Sequence, residues 1–180
     1  MCHRVLGDLD SDVGNHESAH AHYESALKTA RSISFRPALI EALLARGRFA
    51  AKYHKDLTGL GILSGLEQAF NDLNEALGYC VESGYRIYEA DVRVALGWAY
   101  LANVESEKAK QSAERALQMS NEMGYYWGKV DAEEVLGVIT PPIVGGVARS
   151  GEESKPKRSA KNAKTKKESK STNKRRSNRK

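Results

Sequence analysis

Apolar and small residues recur along residues 1–140 at spacings that fit one face of an α-helix. The clearest stripe is Ala-x3-aromatic/Leu-x2-Ala, which puts three residues at i, i+4 and i+7 on the same face. The same offsets hold for Ala19, Tyr23 and Ala26, for Ala69, Leu73 and Ala76, and for Ala109, Ala113 and Ala116. The pattern predicts three amphipathic helices. The last alanine of each stripe should be buried at a close contact with a neighbouring helix.

A second landmark precedes each stripe. Leu6-Gly7, Leu96-Gly97 and Leu136-Gly137 are the same pair, Arg46-Gly47 is a degenerate copy, and the glycines lie 40, 50 and 40 residues apart. Each pair predicts a further helix, with a small residue where its neighbour comes close. The ten extra residues of the second unit predict an insertion at about 54–65. This insertion either extends a helix and covers its end, or forms an exposed apolar flap, and its Gly59-Leu60-Gly61 segment reads as a loop.

Residues with known preferences for helix ends set the limits of these helices. Pro37 suits a first turn, Ser64 begins a capping box, and Gly84 and Gly124 suit left-handed C-terminal ends. Pro141 stops the last helix. The predicted helices are 2–13, 16–33, 37–54, 65–82, 87–103, 106–122 and 126–139.

The two landmarks together resemble the tetratricopeptide repeat (TPR), whose pattern is Trp-x2-Leu-Gly-x2-Tyr followed by Ala-x3-Phe-x2-Ala. The third unit matches best, through Leu96-Gly97-x2-Tyr100 and then Ala109 and Ala116. The Trp and the closing Pro of the motif are missing, and the period of about 40 residues exceeds the usual 34. This longer variant is similar to the C-terminal sensor arrays of bacterial signalling NTPases and their regulators.

The resemblance implies an all-α fold for residues 1–140. It would be a right-handed superhelical solenoid of about three helix pairs plus a closing helix. Because no capping segment precedes the first repeat, we expect that sequence is missing upstream.

In such a solenoid, the first helix of each pair lines a concave side that binds peptides. The Leu-Gly register then gives three inward positions on each first helix and two on the closing helix. These positions are Arg4, Asp8 and Ser11, then Leu44, Arg48 and Lys52, then Val94, Trp98 and Leu101, and finally Glu134 and Val138. The groove is mixed, and it suits a segment with an acidic end and an apolar anchor. Trp98 either anchors that segment or simply packs between helices.

Charge divides the chain into two parts. Residues 149–180 hold 14 Lys and Arg against 3 Asp and Glu, a net charge of +11, and because the whole chain carries +5, residues 1–148 carry −6. Almost no large apolar residue follows Val147, so residues 141–180 are predicted to be a disordered basic tail. The candidate polyanion contacts are Lys155, Lys157, Arg158, Lys166, Lys167, Lys174, Arg175 and Arg176. The tail either contacts phosphates without sequence preference or serves only as a solubilising segment.

Other kinds of chemistry have little support. The chain has no GxSxG, HExxH or phosphate-loop motif, so we expect neither an enzyme nor a cofactor. His16, His20 and His22 form the densest cluster of metal-capable side chains, and His16 and His20 have the spacing of paired zinc ligands. Without a third ligand at fixed spacing, we expect structural or solvated histidines and no metal. Cys2 and Cys80 make no disulfide framework and suit a reducing cytoplasm. Cys80 should be a small buried residue.

The sequence therefore predicts a non-catalytic, cytoplasmic interaction scaffold, the sensor or partner-docking part of a signalling system. Its partner would be another protein or a peptide segment. No apolar run is long enough to span a bilayer, so no membrane partner is expected. The alternative function is a nucleic-acid-associated adaptor, in which the tail supplies the affinity and the repeats recruit a partner.

Overall fold

The computed structural model describes residues 2–59 and 65–140, and every regular element in these two ranges is an α-helix. In chain order the helices are α1 (Cys2–Asp12), α2 (His16–Ser32), α3 (Arg36–Lys52), α4 (His54–Gly59), α5 (Gly65–Ser83), α6 (Arg86–Ala102), α7 (Ser106–Met123) and α8 (Tyr126–Ile139). The seven predicted helices are confirmed, with every boundary within two residues of its predicted position. Within the described ranges, no helix combines the length and apolar character that crossing a membrane requires. The predictions for residues 141–180 lie outside the described residues.

Helices that follow one another along the chain pack against each other. Helix α1 packs on α2, α3 on α5, and α6 on α7, and each second helix of a pair also contacts the first helix of the next pair. In addition, α1 contacts α3, α3 contacts α6, and α6 contacts α8. We call α1, α3, α6 and α8 the first-row helices, since they contact one another in chain order.

The glycines of the first two Leu-Gly positions lie where paired helices are closest. A Cβ on Gly7 would stand 2.9 Å from Tyr23 Cε1, and a Cβ on Gly47 would stand 2.8 Å from Leu73 Cγ. Both distances are well inside the normal separation of about 3.5–4.0 Å between non-bonded carbons. Tyr23 and Leu73 are the middle residues of their stripes, so the predicted close approach is confirmed in these two units.

In the third unit, the space beside the landmark glycine, Gly97, is filled by a side chain of α8 rather than by a stripe residue. Its stripe has the small Ala113 where the first two have Tyr23 and Leu73. The side chain nearest to a Cβ on Gly97 is Val135 of α8, whose Cγ1 would lie 3.1 Å away. Gly137, at the same register position of α8, would meet nothing within 4 Å.

The stripes themselves are buried with one exception. Ala76 and Ala116 are fully buried, as predicted, and so is Cys80. Ala26 is only partly buried, which corrects the prediction for the first unit. The buried face of α2 instead runs through Ala19, Tyr23, Leu27 and Ala30, at i, i+4, i+8 and i+11. The core side of α2 is therefore turned by one residue towards Leu27.

The degenerate landmark residue Arg46 is buried in an ion-pair cluster. Its guanidinium contacts both carboxylate oxygens of Asp72 on α5, with Nε 2.8 Å from Oδ2 and Nη2 2.7 Å from Oδ1. Its Nη1 also donates to Glu24 of α2. Burial opposes the positive charge of Arg46, but the hydrogen bond and charge of Asp72, assisted by Glu24, outweigh it and raise the pKa of Arg46. The cluster joins α2, α3 and α5 by bidentate, charge-assisted hydrogen bonds.

The described part of the insertion, residues 54–59, forms a separate short helix. Helix α3 ends at Lys52, so the insertion does not extend it, and α4 follows as an element that contacts α2, α3 and α5. Leu57 of α4 is fully buried in the core, which favours the covering role over the exposed flap for this residue. Gly59, expected in a loop, is the last residue of α4. The predictions for Leu60, Gly61, Ile62, Leu63 and the capping Ser64 lie outside the described residues.

Three of the predicted helix-end residues behave as expected. Pro37 lies in the first turn of α3, and Gly84 and Gly124 have φ of +70° and +66° after α5 and α7. After α6, the same turn is made by Val104 at φ +63°. There the amide of Glu105 donates to the carbonyl of Tyr100 at 2.9 Å, which gives this carbonyl in the last turn of α6 a hydrogen-bond partner beyond the helix.

Candidate functional site

Two cavities open between the first-row helices. The first, of about 510 Å³, lies between α1 and α3, with Tyr23 of α2 in its wall. The second, of about 710 Å³, lies between α3, α6 and α8, with His54 of α4 at its edge. Arg48 and Lys52 line both cavities, so the two adjoin. We call the two cavities together the groove.

The structure places all the inward positions named from the sequence around this groove. The first cavity is lined by Arg4, Asp8, Ser11, Leu44, Arg48 and Lys52, and the second by Arg48, Lys52, Val94, Trp98, Leu101, Glu134 and Val138. The positions come together because the Leu-Gly register repeats on each first-row helix, and these helices lie side by side.

The second cavity has an apolar floor with an exposed aromatic at its rim. Val94 is buried in the floor, and Leu101 is partly buried. Trp98 keeps 36% of its surface exposed, and Val138 is also exposed. Trp98 is therefore packed against the protein over part of its surface and open to solvent over the rest. A large aromatic in this position offers contact area at little conformational cost.

Charge in the first cavity is largely compensated. Arg4 Nη1 lies 2.8 Å from Asp8 Oδ2, one turn along α1. The hydroxyl of Tyr23 donates to the other oxygen of Asp8, also at 2.8 Å. Burial, together with this hydrogen bond, raises the pKa of Tyr23, which therefore stays protonated as a donor. Arg4 lines the groove as expected, but its charge is already paired.

The exposed cations lie where the two cavities meet. Arg48 and Lys52 are both exposed on α3. The Nζ of Lys52 lies 4.8 Å from the ring centre of Tyr53, and Arg48 Nη2 lies 3.5 Å from the backbone carbonyl of Asp91. A hydrogen bond from Lys52, assisted by Ser11, lowers the pKa of Tyr53. An acidic group of a ligand would find its complement at this junction.

An acidic column follows the first-row helices and was missed at the sequence level. Glu41, Asp91 and Asp131 occupy one register position, with Glu41 in the first cavity and Asp131 in the second. The hydroxyl of Tyr88 donates to Glu41 at 2.6 Å, which raises the pKa of Tyr88 to about 12. The hydroxyl of Tyr125 donates to Asp91 at 3.1 Å, and burial raises the pKa of Asp91. The spacings of 50 and 40 residues, the same as between the glycines, were the signal that could have found it.

His54 is a second residue that sequence reasoning did not place. It lines the second cavity, and its Nδ1 lies 2.9 Å from the carbonyl of Ala51. No pattern in the sequence could position it, because it belongs to α4 in the insertion and has no counterpart in the other units.

The histidine cluster of α2 is divided among three carboxylates. His16 Nδ1 lies 3.3 Å from Asp56, while the Nε2 atoms of His20 and His22 lie 3.6 Å from Glu24 and Asp10, respectively. His16 also stacks near Tyr53 at 4.1 Å between ring centres. Across residues 2–59 and 65–140, no set of three His, Cys, Asp or Glu side chains is arranged to hold a metal ion.

The eight basic residues named as polyanion contacts all fall between Lys155 and Arg176, outside the described residues. The groove is therefore the candidate site that the structure describes. Comparisons of the chain with protein-family models, with curated proteins and with solved structures give no match.

Proposed function

We propose that this protein is a non-catalytic interaction module of the TPR type, which binds a segment of a partner protein in the groove. The four first-row helices would form the inner wall of a right-handed superhelical solenoid. The observation that carries the proposal is the second cavity, which is lined by the exposed Trp98 together with buried or partly buried apolar residues such as Val94 and Leu101.

The two walls of the second cavity carry opposite charges. Arg48 and Lys52 lie on the α3 side, and Asp131 and Glu134 lie on α8. A partner segment with an apolar anchor, an acidic group towards α3 and a basic group towards α8 would satisfy both walls. Such complementarity sets specificity and the rate of association more than the affinity itself. The apolar anchor against Trp98 would supply most of the affinity.

The experiment is affinity capture from cell extract on the immobilised full chain, analysed by mass spectrometry, with two tryptophan variants. Trp98→Ala removes the groove aromatic, and Trp127→Ala removes a tryptophan of α8 that is 65% exposed and lies outside the groove. We expect Trp98→Ala to lose partners that the parent and Trp127→Ala retain, with all three chains equally helical. A folded Trp98→Ala protein that captures the same partners at the same level would refute groove binding.

Once a partner is identified, the charged walls give a second test. Arg48→Glu should weaken binding and slow association, and Glu134→Arg should act independently of it, because the two residues lie on opposite walls. Binding constants that are unchanged by both variants would show that the charged walls do not contact the partner.

The second candidate function, the nucleic-acid-associated adaptor, is favoured by the charge of +11 over residues 149–180. The test is a salt titration of duplex-DNA binding by the full chain and by a chain cut at Pro142. The full chain should lose affinity with a log–log slope of about −0.9 for each phosphate neutralised, and the shortened chain should not bind. Equal binding by both chains would assign the contact to the helices instead.

A further inference from the structure

Two histidines on different helices meet where α1 packs on α2. His3 of α1 and His22 of α2 face each other through their Nδ1 atoms, which lie 3.3 Å apart. Their ring centres are 5.5 Å apart, and the ring planes are tilted by 33°. His3 is exposed and His22 is partly buried, so solvent can reach the pair. The 19 residues between them in sequence hide this pair from any pattern along one helix.

The separation of the two nitrogens is that of two ligands on one zinc ion. Histidine nitrogens bind Zn²⁺ at about 2.0–2.1 Å, and tetrahedral geometry then sets two such nitrogens about 3.3–3.4 Å apart. Both imidazoles can therefore bind one ion without a movement of α1 against α2. Imidazole is also a ligand type that suits zinc.

A carboxylate behind His22 favours the tautomer that metal binding requires. The Nε2 atom of His22 lies 3.6 Å from Asp10 Oδ2, and this oxygen accepts a hydrogen bond from Ser18 Oγ at 2.6 Å. A carboxylate in this place holds the ring proton on Nε2, which leaves the lone pair on Nδ1, the atom that faces His3. Histidines that bind metals usually have such a carboxylate or carbonyl behind them.

We propose that His3 and His22 together bind a zinc ion, with water in its remaining coordination positions. Across residues 2–59 and 65–140, no third His, Cys, Asp or Glu joins them in a metal-binding group, so the described part of the protein supplies two ligands. A site with half the ligands of a closed four-residue site should keep about half of its binding free energy. The dissociation constant is then on the order of 1–100 µM.

An ion in this place would tie the first helix pair together beside the groove. Arg4 directly follows His3 on α1, and its side chain contacts Asp8 in the wall of the first cavity. Tyr23 directly follows His22 on α2, and its hydroxyl donates to the same carboxylate. Zinc bound by both histidines adds a link between the two helices that the unfolded chain lacks. The zinc-bound protein should therefore resist unfolding more strongly than the metal-free protein.

The first test is isothermal titration of the untagged, chelator-treated full chain with zinc chloride at slightly alkaline pH, because the ligand is neutral imidazole. His3→Gln and His22→Gln each remove one ligand. His20→Gln is the matched control, since His20 is on the same helix as His22 but its Nε2 faces Glu24. We expect the parent and His20→Gln to bind one ion per chain with the same affinity, and the two ligand variants to bind at least tenfold more weakly. A parent that takes up no zinc below about 1 mM, or a His22→Gln chain that binds like the parent, would overturn the proposal.

The second test is urea denaturation of the same chains with and without zinc, after equal helix content has been confirmed by circular dichroism. Zinc at about ten times its dissociation constant should shift the folding equilibrium of the parent about elevenfold towards the native state. His3→Gln and His22→Gln should show no such shift, and an equal shift in His22→Gln would place the ion elsewhere. Cys2→Ser tests the exposed thiol next to His3 and should keep the full shift. Loss of the shift in Cys2→Ser would overturn the assignment to two imidazoles.

Discussion

Gly47→Ala tests the helix packing directly, because it adds a single methyl group at the closest approach of α3 and α5. The new Cβ would lie 2.8 Å from Leu73 Cγ and 2.9 Å from Leu73 Cδ2. Leu73 is fully buried, and Cγ is its branching carbon, so a change of the outer rotamer alone cannot relieve the contact. Either the whole Leu73 side chain has to turn about χ1 inside a filled core, or one of the two helices has to move.

The expected change in the free energy of unfolding is the balance of two terms. Overpacking a core costs about 1–3 kcal/mol. Replacing glycine by alanine inside a helix recovers about 1 kcal/mol through helix propensity. We therefore expect Gly47→Ala to destabilise the protein by about 1 kcal/mol on balance. Gly137→Ala is the matched control, since it has the same register position and open space around it, and it should be neutral or stabilising by up to about 1 kcal/mol.

The assay is urea denaturation followed by far-UV circular dichroism, with a check that the slope m is the same for all variants. A third variant, Gly47→Ala with Leu73→Ala, removes the clash. Leu73→Ala alone should cost about 2–5 kcal/mol, and it should cost less in the Gly47→Ala background, because the new methyl group occupies part of the cavity. If Gly47→Ala stabilises the protein as much as Gly137→Ala does, the close approach of α3 to α5 is wrong.

Three further predictions concern single side chains. Val104 is a β-branched residue at φ +63° and is 87% exposed. Val104→Gly should therefore relieve backbone strain without loss of burial, raising the free energy of unfolding by about 1 kcal/mol and with it the urea midpoint. A lowered midpoint would contradict the left-handed turn. Ala116→Leu, at a fully buried contact, should lower the free energy of unfolding by about 1–3 kcal/mol, and Ala26→Leu, at a partly buried position, should lower it less. Equal melting temperatures for the two variants would count against the register. Burial raises the pKa of the Cys80 thiol from 9.0 to about 11, so the thiol loses its proton more readily in the unfolded chain. The free energy of unfolding should therefore fall as the pH rises from 9 towards 11, and it should fall less steeply in Cys80→Ala. An equal pH dependence in both proteins would place Cys80 outside the core.

The helices and their register follow from the sequence for a local reason. Residues at i, i+4 and i+7 lie on one face only when the chain is helical, so an apolar stripe with this spacing predicts a helix. Helix ends depend on residues such as Gly84 and Gly124, whose effect is confined to one turn. Recurrence of the Leu-Gly pair then assigns corresponding positions across helices. For this reason the residues lining the groove, including Trp98, could be named before the structure was known.

Other features depend on which helices meet. In the sequence, Arg46 is only a departure from the Leu-Gly pattern. In the structure, Asp72 and Glu24, which lie 26 and 22 residues away in sequence, both contact its guanidinium. The hydroxyl of Tyr23, 15 residues from Asp8 in sequence, likewise reaches that carboxylate only because α2 packs on α1. The outcome in each case rests on contacts between different helices, for which a pattern along one helix carries no signal.

What the sequence by itself determined is the set of seven long helices, their register, and the side of each first-row helix that lines the groove. Only the tertiary structure decided that α4 contributes His54 and that Val135 rather than a stripe residue covers Gly97. The physical reason is that hydrophobic periodicity fixes which face of a helix seeks burial, whereas the identity of the neighbour depends on insertion geometry and on side-chain volumes contributed by several helices at once.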